Sequence, residues 1–97
     1  MRIDIFLHRT GLIRRRSQAR EACQEGAVWV ADHRAKPGRT VAVGDRLRIR
    51  RGPIEREWLI LALPRSSLSR SAQGDHLELV AERRDEREAW LEGDTSS

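Results

Sequence analysis

At Gly26 the spacing of apolar residues along this chain changes from threes and fours to twos. Before it, Ile3, Phe6 and Leu7 fall at i, i+3 and i+4, and Ala19, Ala22 and Cys23 repeat that interval. Each set makes one apolar stripe on a helix. After it, Val28 and Val30 alternate with Ala27, Trp29 and Ala31, and Arg46-Leu47-Arg48-Ile49-Arg50 alternates without a fault. Strict alternation is the signature of strands with one face toward a core. Short helices followed by short strands make an α+β order.

Punctuation residues divide the chain further. Residues 2–9 read as a first helix, broken by Thr10-Gly11, with Leu12-Ile13 covering the core beneath the turn. A second helix is expected from Arg16 or Ser17 to Glu25, with Ser17 as N-cap and Gly26 as the left-handed residue past its end. Strands are expected at 28–30, 46–50 and 57–63, separated by a polar loop at 32–40, a turn at Gly44-Asp45 and another at Gly52-Pro53. Asp45 is expected to shape the Gly44 turn. Apolar side chains on both faces of 57–63 predict a strand that is central or covered on both sides. Ser, Pro and Gly mark 64–75 as a linker. Leu77, Val80, Ala81 and Arg84 follow helical spacing, so 76–92 is expected to be an acidic helical tail packed on the body, with 93–97 disordered.

The chain is 97 residues long, enough for one small domain. It has no apolar run near the ~20 residues that cross a bilayer. MRIDIFLHRTG is too short and too interrupted for a signal peptide, so a cytoplasmic protein without membrane contact is expected. The lone Cys23 agrees with a reducing compartment and reads as a buried structural thiol. His8, His33 and His76 are scattered, and neither a phosphate-cradling loop nor a nucleophile elbow is present. No metal, cofactor, small-molecule substrate or catalytic residue is expected.

Charge points instead to a polyanion. Residues 1–70 carry 16 Lys+Arg against 7 Asp+Glu, whereas residues 71–97 carry 3 against 8. Only Lys36 among the 19 basic residues is lysine. Guanidinium groups are planar forks that grip phosphate and stack on bases. Arg14, Arg15 and Arg16 run together into the second helix, where cations oppose the helix dipole by some tenths of a kcal/mol each. A phosphate backbone reverses that balance. Arg20 lies one turn beyond Arg16, and Arg2 and Arg9 share a side of the first helix, so all four are candidates for one surface. A solvated charge face is the ordinary reading of such a run, and Arg46, Arg48 and Arg50 fit it as well as they fit RNA contact. Trp29 is expected to pack on a neighbour rather than stack on a base.

Two short helices, a glycine, and strands ending in Val43-Gly44-Asp45 and Leu47-Arg48-Ile49 resemble the S-four RNA-binding domain, or αL motif. Arg2-Ile3-Asp4, Phe6-Leu7, Arg16-Ser17-Gln18-Ala19, Glu25-Gly26, Val28-Trp29-Val30 and Lys36 also carry the resemblance, over residues 1 to about 51. A domain of this kind with little else attached is similar to the RqcP group, which includes the small heat-shock S-four protein. The resemblance implies two short N-terminal helices on a small, mostly antiparallel sheet. It implies binding to free large ribosomal subunits that hold stalled peptidyl-tRNA, through ribosomal and transfer RNA, in support of nascent-chain tailing by a partner factor or of rescue. It places RNA contacts first on Arg2 and Arg16, with Arg20, Lys36 and Arg39 second; Arg9, Arg14 and Arg15 join them from the charge argument. The family's Asn-Gly turn is here Ala31-Asp32, which predicts a turn of different shape. Other readings are a structured-RNA binder in ribosome assembly, a helix-turn-helix DNA binder using residues 17–25, and a module for an acidic protein.

Overall fold

The computed structural model describes residues 1–84. Helix α1 spans Ile3–Arg9 and α2 spans Arg16–Gln24. Strands follow at Val28–Val30 (β1), His33–Arg34 (β2), Arg46–Arg51 (β3) and Ile54–Ile60 (β4). A one-turn helix α3, Arg70–Gln73, precedes β5, Leu77–Arg84. The five strands form one sheet in the order β2-β1-β3-β4-β5, and every neighbouring pair is antiparallel.

The apolar stripes meet as their periods predict. Ile3, Phe6 and Leu7 of α1, Ile13 of the connection, and Ala19 and Cys23 of α2 join Val28, Val30, Leu47, Ile49 and Ile60 of the sheet in one buried cluster. Full burial of a Leu, Ile or Phe side chain is worth roughly 1.5–3 kcal/mol. Cys23 is held among these apolar groups, and burial first, then the Asp4 charge, pushes its thiol from 9.0 up to about 11. The folded state therefore prefers the protonated thiol. Its contribution to stability is complete below pH 9.0 and is lost as pH rises through about 11. The expected result is alkaline loss of stability over that window that Cys23→Ala reduces, read by denaturant titration at pH 8 and pH 11.

Helix ends are satisfied in three ways. At the end of α2 the N–H of Gly26 donates to the Cys23 carbonyl and that of Ala27 to the Ala22 carbonyl, a Schellman motif. Gly26 has φ +75°, as that motif requires. At the start of α1, the N–H of Ile3 donates to the Arg39 carbonyl (2.7 Å) and that of Asp4 to the Pro37 carbonyl (3.3 Å). The Asp4 carboxylate takes the N–H of Ile5 at 2.8 Å. Ser17 is not the cap of α2: the helix begins one residue earlier, Arg15 is the N-cap, and no side chain caps it.

The Ala31-Asp32 turn corrects one expectation. Both residues have positive φ, 51° and 67°, in a two-residue loop between β1 and β2. That is the type I′ shape an Asn-Gly pair adopts. Register demands it, because Val30 must pair with His33 while the Ala31 N–H reaches the Arg46 carbonyl at 2.9 Å. Alanine is strained there by about 1 kcal/mol, and asparagine is tolerated. Ala31→Asn should therefore raise stability by about 0.5–1 kcal/mol and the melting temperature by about 4 °C in a domain of this size, measurable by thermal unfolding.

Three readings move. The polar loop 32–40 contains β2. The fourth strand runs over Ile54–Ile60, not 57–63, because Gly52 (φ 58°) and Pro53 close a two-residue hairpin that pairs Arg51 with Ile54. Its charged half lies opposite charge of the other sign, Arg48 facing Glu57 and Arg50 facing Glu55. Third, residues 77–84 are strand β5, not part of a helical tail. Leu77 pairs with Ile60 and is buried, Glu82 pairs with Arg56, and the Glu82 carboxylate accepts from the Arg56 guanidinium. The rest of that expected tail, and the disordered end, lie outside the described residues. The stretch 64–75 is attached rather than a loose linker: Pro64 is buried, and Leu68 N–H donates to the Arg9 carbonyl at 2.8 Å.

Candidate nucleic-acid interface

Asp4 is a carboxylate with no solvent exposure, set at the second position of α1. A buried charge is tolerable only when paired and hydrogen-bonded. Its partners are two guanidinium groups. Arg2 donates Nε to Oδ1 at 3.2 Å and Nη2 to Oδ2 at 3.1 Å, a two-pronged fork. Arg16, from the first position of α2, brings its Nε to 4.0 Å from Oδ2. The side chains of Arg2 and Arg16 remain 48% and 55% exposed, so both are presented at the surface while the acid that holds them is not. An arginine has five N–H donors, and the fork on Asp4 uses two of those on Arg2. The others face whatever the surface meets.

The loop before Thr40 completes this corner. Its carbonyls cap α1, Arg39 N–H donates to the Lys36 carbonyl at 2.9 Å, and a Cβ at Gly38 would stand 3.9 Å from Arg2 Nη2. Lys36 and Arg39 are exposed on that loop. Arg2 and Arg16 thus meet at one buried carboxylate, and the loop that carries Lys36 and Arg39 caps the same end of α1. Arg15 is the N-cap of α2, and both it and Arg20, one turn beyond Arg16, are exposed. The uncapped first turn of α2 adds open N–H groups and the positive dipole end. This is an arrangement for anions.

Arg9 and Arg14 stand apart from the group. Arg9 closes the other end of α1 and donates Nη1 to the Pro64 carbonyl at 3.3 Å. Arg14 lies in the connection between the helices, its carbonyl 3.2 Å from His8 Nδ1. Arg46 and Arg48 of β3 are occupied within the protein. Arg48 stacks over Trp29, 4.7 Å from the ring centre, with Nε 3.2 Å from Glu55 Oε1. Arg46 reaches Glu57 at 3.7 Å. Trp29 packs, as expected, though on Arg48. Asp45 shapes its turn: its carboxylate accepts from Ala42 N–H at 3.0 Å, and its own N–H returns to the Ala42 carbonyl.

In the sequence Asp4 figures only in the Arg2-Ile3-Asp4 resemblance, with no site role, and the acid that arranges the arginines emerges from the fold. The available signal was an aspartate in the first turn of an amphipathic helix, two residues from Arg2, on the stripe's buried side.

Fold, matched region and basic corner together define the class. The S4 domain model matches residues 1–47. The RQC P-site tRNA stabilizing factor of Helicobacter pylori strain J99 is 41% identical over 64 residues, covering 66% of this chain and 76% of that protein. Among solved structures, the trimeric Heat Shock Protein 15 of Vibrio cholerae superposes with a TM-score of 0.78 at 25% identity, over 84% of this chain and 82% of that one. The solution structure of a hypothetical protein gives 0.73 at 32% identity, over 84% and 98%. The chain belongs to the S4-domain family that includes the Helicobacter pylori RQC P-site tRNA stabilizing factor.

Proposed function

We propose that this protein is a non-enzymatic RNA-binding factor of ribosome-associated quality control. It binds free large ribosomal subunits that carry stalled peptidyl-tRNA and supports nascent-chain tailing or rescue. The contacts are to the phosphate backbone of ribosomal and transfer RNA. Arg2 and Arg16 make them first, with Arg15, Arg20, Lys36 and Arg39 around them. Arg9 and Arg14 extend the basic surface toward the far end of α1.

The observation that carries this reading is the buried Asp4, which holds two half-exposed guanidinium groups from the starts of the two helices at one place. A structural ion pair would be finished by one arginine. The second, looser one and the uncapped helix start beside it are explained by an outside anion. The Helicobacter pylori relative, a P-site tRNA stabilizing factor, supplies the setting, a tRNA in the P site.

The test is sedimentation of tagged protein from heat-stressed cells through a gradient. The expected result is a peak with free large subunits, and it should collapse when puromycin takes the nascent chain from the stalled tRNA. Protein that stays at the top of the gradient, or that prefers duplex DNA to transfer RNA in gel shifts across a salt series, removes the proposal.

A further inference from the structure

Away from the Asp4 corner, an open groove of about 620 Å³ runs between the end of α1, the start of the helix connection and the stretch that carries α3. Arg14, Arg51 and Arg70 line it, together with Thr10, Ser69 and Gln73. These arginines come from the connection between the helices, the end of β3 and the start of α3, and all three are exposed. No Asp or Glu lines the groove, and none of the three arginines has an acidic partner among the described residues.

The convergence is built rather than incidental. Gln73 donates Nε2 to the Thr10 carbonyl at 2.7 Å, Leu68 N–H donates to the Arg9 carbonyl, and Arg9 donates to Pro64. These three ties pin the stretch 64–73 across the end of α1. They set Arg70 on the same groove as Arg14, which lies 56 residues earlier in the chain. Like charges brought together without a counter-charge repel, and a polyanion relieves them. The volume is of the order of pockets that hold drug-sized ligands, about 300–1,000 Å³, so there is room for more than a single oxyanion. Leu12 and Leu68 add an apolar wall against which a ribose or base can lie.

We propose that this groove binds a second stretch of RNA phosphodiester backbone, with Arg51 and Arg70 as its specific contacts and Arg14 beside them. It rests on the RNA-binding reading above and extends it beyond the Asp4 corner to Arg51 and Arg70. Arg9 then acts by positioning, because it anchors the stretch that carries Arg70.

The experiment follows the arginine Nε–H signals of the full chain by NMR while a uridine decanucleotide is added, with a glutamate decapeptide as the second probe. The Arg51 and Arg70 signals are expected to move with the oligonucleotide and to stay still with the peptide. In the Arg51→Gln/Arg70→Gln variant, the slope of log affinity against log salt should fall by about 1.4, the value for two lost single-strand phosphate contacts. Movement of Arg2 and Arg16 alone, with the slope unchanged in the variant, overturns the groove and leaves the main reading standing. If no arginine signal moves, the RNA reading fails and the groove with it. A response to the peptide but not to the oligonucleotide overturns the groove as an RNA site.

Discussion

Arg16→Ala should lower affinity for large-subunit RNA by about 10- to 100-fold, the equivalent of one lost charge-assisted contact at about 1.5–3 kcal/mol. Stability should change by less than about 1 kcal/mol, because Arg16 is half exposed and its link to Asp4 is 4.0 Å long. Arg2→Ala behaves differently. It removes both side-chain hydrogen bonds from a carboxylate with no solvent access, so it should also destabilise the domain by about 3 kcal/mol. Loss of binding in that variant therefore confounds folding with contact, and Arg16 is the cleaner probe. Fluorescence anisotropy with a structured RNA, paired with urea unfolding of each variant, separates the two effects. Arg16→Lys should recover only part of the affinity, since an ammonium cannot reproduce the planar fork. Wild-type affinity in Arg16→Ala would remove the corner from the RNA interface.

The second large effect is that of Asp4→Ala. The substitution takes away a negative charge, so a model of diffuse electrostatic attraction predicts tighter RNA binding. The opposite is expected. Without Asp4 the Arg2 guanidinium loses its fork and Arg16 its only acidic neighbour among the described residues, and the two no longer share a fixed position. Ordering them again on contact with RNA opposes binding by about 0.5–1.5 kcal/mol for each long side chain. Affinity should fall about tenfold while the salt slope is retained. The Ile5 N–H also loses its acceptor, and unfolding should become easier by about 2 kcal/mol, or about 10 °C in melting temperature. Tighter binding in Asp4→Ala would show that the aspartate only offsets charge.

The core was legible in the sequence because each apolar set fits one period. Ile3, Phe6 and Leu7 match a helix and no strand, and Leu47 and Ile49 between three arginines match a strand and no helix. Leu77 to Arg84 matches both. Leu77, Val80, Ala81 and Arg84 sit at helical intervals, while Leu77, Leu79 and Ala81 alternate with Glu78, Val80 and Glu82. Nothing local separates those patterns. The free edge of β4 does, because it supplies a ladder of backbone partners, interrupted once by a register shift between Glu57 and Trp58, and places Arg56 opposite Glu82. Likewise, the positive φ of Ala31 could not be read from an alanine, since the register of β1 with β2 imposes it.

What the chain's residues determined unaided was the α+β order, the buried stripes and the excess of arginine that makes a polyanion the natural partner, for these depend on periodicity and charge, which are local. Only tertiary structure decided which arginines lie together. Arg2 and Arg16 are fourteen residues apart and meet because one buried carboxylate needs counter-charge. Arg14, Arg51 and Arg70 are farther apart still and meet because backbone carbonyls at the end of α1 had to find donors. Both are demands of burial, and burial is a property of the packed molecule rather than of any segment in it.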